Sequence, residues 1–271
     1  MADKSKFIEY IDDALEKSKE TTLSHLFFTY QGIPYPVTMC TPETFQALET
    51  FEARSDDLVL ASYPKCGSNW ILHIVSELVF AFAKRKYEFS EFPVLECGDS
   101  EKYQRMKLFP SPRILTTHLH YDKLPGSIFK HKAKILVIFR NPKDTAVSFF
   151  HFHNDVPDIP SYASWAEFFQ QFMKGKVSWG SYFDFAINWN KHLDDDNVKF
   201  VLYEDLKEDA GEERCLLSLK GVAQRMRSGE IGDWKQLFSE TQNQEMDEKF
   251  QECLAGTSLG YKLKYESYCQ L

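Results

Sequence analysis

Four short apolar runs recur along the chain, each ending at a polar or turn-forming residue. They are the run that opens at Leu58 and turns at Pro64, then Arg113 to Thr117, Ala133 to Phe139 and Val198 to Tyr203. Runs this short, bounded by turn residues, read as buried strands. After the first run the period changes: Trp70, Ile71, Ile74, Val75, Leu78 and Val79 fall on one face of a helix. After the third, Asn141-Pro142 starts another helix, with proline where its missing N–H costs nothing. Aromatic-rich helices are expected over residues 162–194. Strands alternating with helical segments predict βαβ units, hence an α/β chain with a mostly parallel central sheet flanked by helices. Ligands of such sheets sit beyond the carboxyl ends of the strands. Tyr63 to Ser68, His118, Arg140 and Tyr203 all fall at those ends.

The remaining segments are less regular. Residues 4–20 read as an exposed amphipathic helix with Phe7, Ile8, Ile11 and Leu15 on one side. Residues 29–42, with Gly32, Pro34, Pro36 and Pro42, read as an irregular loop. Residues 84–111 are polar and read as surface structure. A short helix over Leu216 to Val222, a new segment at Asp233-Trp234 and a final helix over 242–254 complete the expectation.

Composition narrows the class. Across 271 residues, 43% are hydrophobic and 15% aromatic, enough for a substantial core. There is no Pro-, Gly- or Ser-rich linker, so a single domain over 1–271 is expected. A formal net charge of −8 excludes a general nucleic-acid binder, which needs a basic stripe. A small anionic ligand stays open, because a local cation cluster decides that. Met1 to Glu20 has no apolar h-region, and no run of 18 apolar residues exists, so neither a secretory signal nor a membrane span is expected. Six scattered cysteines without a C-x-x-C pair suit reduced thiols in the cytoplasm. Cys269 is third from the end, so it makes no prenylation box.

The chemistry centres on Tyr63-Pro64-Lys65-Cys66-Gly67-Ser68-Asn69-Trp70. A strand, a tight loop and a helix start make an anion site, because first-turn N–H groups are free and the helix dipole favours negative charge. Ser68 suits an N-cap, and Lys65 adds a mobile cation. Lys65 precedes Gly67, so this is not the G-x-x-x-x-G-K-[ST] phosphate loop. The plainer alternative is a strand-to-helix turn with a surface lysine.

His118 shares the strand-end edge with Lys65, where a neutral imidazole can take a proton from an attacking hydroxyl. His120 would point to the opposite side of an extended chain. Arg140 and Ser148 lie eight residues apart and suit phosphate recognition; a surface pair of Arg140 with Asp144 is the alternative. The His151-Phe152-His153 run is too sparse for a metal site, and no metal is expected. The aromatic residues between Phe149 and Trp189 are core by default, with a few free to wall a flat acceptor pocket.

Four motifs agree in order and spacing: the Tyr63 to Trp70 loop, Arg140 to Ser148, Tyr203-Glu204-Asp205-Leu206-Lys207 and Gly232-Asp233-Trp234-Lys235. Together they resemble the cytosolic sulfotransferases, the 6B subfamily above all, over about residues 1–207 and 229–271. The resemblance implies a P-loop-like sulfotransferase fold and transfer of a sulfuryl group from 3′-phosphoadenylyl sulfate (PAPS) to a hydroxyl or amine. It implies that Lys65 and the amides of Cys66, Gly67, Ser68, Asn69 and Trp70 hold the 5′-phosphosulfate. Trp70 would stack on adenine, Tyr203 approach the base, and Arg140 and Ser148 bind the 3′-phosphate. Arg227 and Gly229, where the family has Arg-Lys-Gly, would complete the donor site. His118 would be the base, with Lys65 steadying the leaving phosphate oxygen and no metal involved. Phenols, steroids, iodothyronines and amines are the acceptor classes implied, as in conjugation of xenobiotics and hormones.

The chain departs from the pattern in places. Cys66 stands where the family has serine, and Thr116 where it has lysine. Residues 208–228 are too short for the family's long helical stretch. The homodimer motif is matched only loosely, by Lys235 and Ser239 with Glu240 in place of valine. A catalytically impaired nucleotide binder is therefore a second reading. A nucleotide kinase is a third, disfavoured by the order of the loop residues.

Overall fold

The computed structural model describes residues 26–82, 94–156, 159–209 and 229–270. The expected helices at 4–20 and 216–222, and Arg227, lie outside the described residues.

An antiparallel hairpin comes first, from β1 (Phe27–Tyr30) and β2 (Ile33–Pro36). This replaces the expected loop over 29–42. Gln31 and Gly32 both take positive φ, 48° and 83°, which is the two-residue turn that matches strand twist. Pro34 and Pro36 are tolerated because β2 has a partner on one side only. Helix α1 (Pro42–Leu48) follows, capped by the Thr41 hydroxyl.

Strand β3 (Leu58–Ser62) is the sheet's organising strand, and helix α2 (Ser68–Phe82) leaves from its end. Helix α3 (Lys102–Met106), β4 (Ile114–Thr117), α4 (Gly126–Lys130) and β5 (Lys134–Phe139) come next. Then come α5 (Pro142–Asp155), α6 (Trp165–Met173), α7 (Tyr182–Asn190), β6 (Val198–Leu202) and α8 (Tyr203–Asp209). The main sheet has the order β4-β3-β5-β6, and every pairing in it is parallel. From β3 the chain moves to β4 on one side and then to β5 on the other. The crevice at the carboxyl end of β3 is thus the topological switch point, where such sheets bind ligands.

A buried ion pair sets where β3 begins. Arg113 donates to both Asp57 oxygens, at 2.8 and 2.5 Å, and both side chains are shut away from water. The Leu58 amide meets the Arg113 carbonyl and the Lys134 amide meets the Asp57 carbonyl, so one pair aligns three strands.

Two segments differ from expectation. On α2 the buried positions are Ile71, Leu72 and Ser76, whereas Leu78 is 66% exposed. The apolar face is narrower than its periodicity suggests. Within 84–111, expected at the surface, residues 94–97 and much of α3 are buried, Glu96 and Lys102 included. The polarity is satisfied internally: the Lys102 ammonium donates to the Val94 and Cys97 carbonyls. Charged groups enter a core when their hydrogen bonds are met there.

The C-terminal region closes on α5. Asp144 accepts from the amides of Gly232 (2.9 Å) and Trp234 (3.0 Å), so the Gly-Asp-Trp motif is tied to the helix after β5. Helix α9 (Glu240–Cys253) opens with a capping box of Ser239 and Gln242, so it starts two residues before the expected 242. It is not the last helix: α10 (Ser258–Lys262) and α11 (Tyr265–Cys269) follow. Lys143 pins them, donating to the Cys269 carbonyl at 2.5 Å and pairing with Asp247.

His153 is part of this core. Its Nδ1 donates to the Pro160 carbonyl at 2.8 Å, and its ring lies 4.6 Å from that of Phe149. Burial pushes its pKa down to about 4, from an ordinary 6.5. The unfolded chain then binds a proton that the fold refuses, so stability falls as pH drops from about 6.5 towards about 4. Between pH 7.5 and 5.0 this one residue is expected to cost about 2 kcal/mol. Denaturant melts should show a shallower pH dependence for His153→Asn, which keeps a donor towards Pro160; an unchanged slope would remove His153 from the account.

Candidate active site

The turn from β3 to α2 depends on two residues with left-handed backbone, Lys65 at φ 70° and Gly67 at φ 92°. Glycine is required at the second: a Cβ there would lie 2.5 Å from Cδ2 of Tyr203. Tyr203 thus packs directly on the loop, and its ring meets that of Trp70 edge-on at 5.5 Å. Helix α2 begins at Ser68 itself, so Ser68 is the first helical residue and not the cap expected. Its hydroxyl meets that of Ser62 at 2.7 Å. Asn69 is exposed, and Trp70 is half-buried.

The Cys66 side chain turns away from the loop mouth. It is buried, its Sγ lies 3.7 Å from the Thr145 hydroxyl of α5, and burial pushes its pKa up to about 12. It is a neutral thiol packed against the next helix, and the backbone amides are what the loop presents. The Lys65 ammonium sits over the Phe152 ring, 4.8 Å from its centre. Burial and the nearby Arg140 charge lower its pKa, partly opposed by Asp155.

His118 follows β4. Its Nδ1 lies 2.8 Å from the Ser62 carbonyl, which can only accept, so Nδ1 carries the proton and Nε2 holds the free lone pair. Enclosure by its neighbours lowers the pKa, and the Lys65 charge acts the same way, against the Glu96 carboxylate and the Ser62 carbonyl. Ser62 therefore touches both halves of the site, His118 by its carbonyl and the α2 start by its hydroxyl.

Glu96, which the sequence reading passed over, organises this corner. It accepts from the His118 amide (2.8 Å), the Thr117 hydroxyl (2.9 Å) and the Trp179 indole (3.1 Å). Trp179, at φ 60°, stands edge-on to the His118 ring at 5.3 Å. His120 is separate, packed on Phe185 at 5.7 Å with its Nε2 buried and unpartnered.

Arg140 directly follows β5 and is 3% exposed. Its guanidinium covers the Tyr203 ring at 4.6 Å and lies 4.0 Å from Asp144, so the expected alternative partner is indeed nearby. It also donates to the carbonyls of Glu230 (3.3 Å) and Lys65 (3.5 Å), while its Nε is buried with no hydrogen-bond partner among the described residues. Gly229 is adjacent, its carbonyl accepting from the Tyr203 hydroxyl at 3.0 Å. Ser148 lies half-buried two turns into α5. Glu204 closes the network: its Oε1 takes the Asn141 amide (3.0 Å) and side chain (2.7 Å), and burial raises its pKa. Lys65, His118, Arg140 and Tyr203 thus lie at the carboxyl ends of the parallel strands, where the apolar runs placed them, and Gly229 adjoins Tyr203. Among the described residues no group of three or more His, Cys, Asp or Glu is placed to hold a metal ion.

A family model, the sulfotransferase domain, matches residues 55–214. The chain belongs to the sulfotransferase family. It is 75% identical to Sulfotransferase 6B1 of Pan troglodytes and 74% identical to that of Homo sapiens, each over 302 positions covering all of both proteins. Set against 271 residues, those 302 positions leave at least 31 without a residue here. The family match stops at Arg214, inside the short 208–228 segment. Among solved structures, mouse sulfotransferase SULT7A1 complexed with PAP shares 30% identity and a TM-score of 0.73, over 90% of this chain and 99% of that one. The parallel sheet and its loop are therefore those of a sulfotransferase.

Proposed function

We propose that this sulfotransferase moves a sulfuryl group from PAPS to the hydroxyl or amine of a small aromatic or steroid-like acceptor. The observation that carries the reading is His118 held beside the loop after β3: the Ser62 carbonyl takes its Nδ1–H, the Ser62 hydroxyl meets that of Ser68 at the start of α2, and the Lys65 charge is near enough to lower the His118 pKa. The PAP named with the mouse structure supports the donor class. The residues fit such a donor. The loop offers backbone donors at a helix start, and the buried Arg140 Nε has no hydrogen-bond partner among the described residues.

PAPS, when bound, supplies a sulfuryl group on a phosphate leaving group. His118 Nε2 takes the acceptor proton as the acceptor oxygen attacks. Its Nδ1–H stays on the Ser62 carbonyl, which holds the ring in the productive tautomer. Lys65 meets charge developing on the departing oxygen, with the first-turn amides beside it. Trp179 and its neighbours give the acceptor a flat apolar wall next to the base. Arg140, Ser148 and Gly229 are assigned to the 3′-phosphate, and Trp70 with Tyr203 to the adenine.

A second reading has its own support. At least 31 aligned positions are missing, and Arg140 is already buried under the Glu230 carbonyl. A 3′-phosphate there has to compete with that contact for the guanidinium. The impaired nucleotide binder is the reading in which it fails to do so productively.

Thermal unfolding with adenosine 3′,5′-bisphosphate, combined with a turnover assay, separates the two. At about 100 times its dissociation constant the ligand adds roughly 2.7 kcal/mol to the folded state. The midpoint is expected to rise by about 5 °C or more. A rise with sulfated product confirms the transferase. A rise without turnover on any acceptor leaves the binder, and a cooperative melt that does not move overturns both.

A further inference from the structure

We propose that Cys40 and Cys97 are a redox modification site, closed to a disulfide by hydrogen peroxide, and that closure disturbs the seat of His118. The two sulfurs are in contact at 3.2 Å, although 57 residues separate them in sequence. Both side chains are fully buried. The segments that carry them are already laced together. The Gly98 amide donates to the Met39 carbonyl at 2.9 Å, and the Thr44 hydroxyl to the Gly98 carbonyl at 2.5 Å. A disulfide bond is about 2.05 Å long, so closure needs roughly an ångström of approach between segments that already touch.

The other described cysteines are placed differently. Cys66 faces Thr145, and Cys269 offers its carbonyl to Lys143. Cys253 lies at the end of α9, partly exposed. Burial, with the neighbouring Cys97 and Glu96, pushes the Cys40 thiol well above its ordinary pKa, and the buried ammonium of Lys102, bonded to the Cys97 carbonyl, opposes this only in part.

The reaction is a two-electron oxidation. One thiolate attacks peroxide, the O–O bond breaks, and a sulfenic acid forms with hydroxide, which takes that thiol's proton to become water. The second thiol then attacks the sulfenic sulfur. The S–O bond breaks, the S–S bond forms, and the oxygen leaves as a second water carrying the second proton. Burial makes the step depend on local opening of the 94–101 segment, so the pair responds to sustained peroxide and ignores brief exposure.

The link to chemistry runs through the next residue. Glu96 precedes Cys97 and holds the His118 amide, the Thr117 hydroxyl and the Trp179 indole. Drawing Cys97 towards Cys40 strains this seat, and misplacement by about 1 Å is worth up to roughly a hundredfold in rate. This second half rests on His118 being the base; the disulfide itself does not.

The test uses the full chain, treated with graded hydrogen peroxide, quenched with iodoacetamide and digested without reductant. The expected result is a Cys40–Cys97 cross-linked peptide, a higher melting midpoint and reversal of both by dithiothreitol. Sulfated product formed per enzyme is expected to drop by about ten- to a hundredfold, with the acceptor KM nearly unchanged. Cys40→Ser and Cys97→Ser should each abolish the cross-link and the rise in midpoint, and either one that folds suffices. If both thiols stay alkylatable at peroxide doses that oxidise Cys253, or oxidise singly to sulfinic acids, the proposal is overturned. A disulfide with unchanged turnover overturns the coupling to His118. A chain without transfer activity before treatment fails the functional reading, while the peptide and melting measurements still decide the site.

Discussion

Replacing His118 with alanine is expected to lower kcat by roughly 10²- to 10⁴-fold, the usual contribution of a positioned general base. Binding of adenosine 3′,5′-bisphosphate should stay within about twofold, because the imidazole acts on the acceptor proton and acts mainly in the transition state. The argument rests on the tautomer. With Nδ1–H committed to the Ser62 carbonyl at 2.8 Å, Nε2 is the nitrogen able to accept a proton. The ring is also held in its neutral form: its surroundings and the Lys65 charge lower the pKa from 6.5. A base works when unprotonated, so activity should persist below pH 6.5 and fall only as pH drops through the lowered value. The acid limb of kcat/KM should therefore lie below 6.5 and disappear in the alanine variant. Equal losses in donor binding and in kcat would take the role of base away from His118.

Much of this site was legible because strand ends are legible. The apolar runs before Tyr63, His118, Arg140 and Tyr203 are continuous and β-rich, and parallel strands bring their carboxyl ends to one edge. Glu96 was not legible. It lies in a polar stretch without helical or strand period, and nothing in its neighbours announces that three donors converge on its carboxyl group. The same holds for Lys102, whose burial is explained by carbonyls that no pattern encodes. Pro34 and Pro36 misled in the opposite direction. Prolines argue against a central strand but are allowed at an edge, and edge position is a tertiary fact. The Gly-Asp-Trp motif could be recognised from sequence, yet its physical reason appears only in the fold: Asp144 gathers the Gly232 and Trp234 amides and so ties the segment before the C-terminal helices to the helix after β5.

Lys65→Ala should be the second most damaging change to activity and yet leave the fold intact. Removing a preorganised positive donor from developing transition-state charge costs about 2.7–4 kcal/mol, a loss in kcat of roughly 10²–10³. The backbone is not the reason. Lys65 sits at φ 70°, where alanine and lysine carry the same Cβ penalty, so the turn is no more strained in the variant. Nor does the ammonium hold the structure together. It lies over the Phe152 ring, and burial beside Arg140 lowers its pKa, which marks a charge kept at a cost to stability. The midpoint of Lys65→Ala without ligand should therefore match or exceed that of the parent chain, the usual signature of a site built for function. The lowered pKa also sets an alkaline limit. The ammonium must be protonated to meet the leaving oxygen, so kcat/KM should fall at a pH below lysine's ordinary 10.5. In Lys65→Arg that alkaline limb should vanish, because guanidinium does not titrate there, while the rate recovers only in part because its planar fork differs in shape from an ammonium. An alanine variant within threefold of the parent in kcat would place the stabilising charge elsewhere, and Arg140, donating to the Lys65 carbonyl at 3.5 Å, would be the next residue to replace.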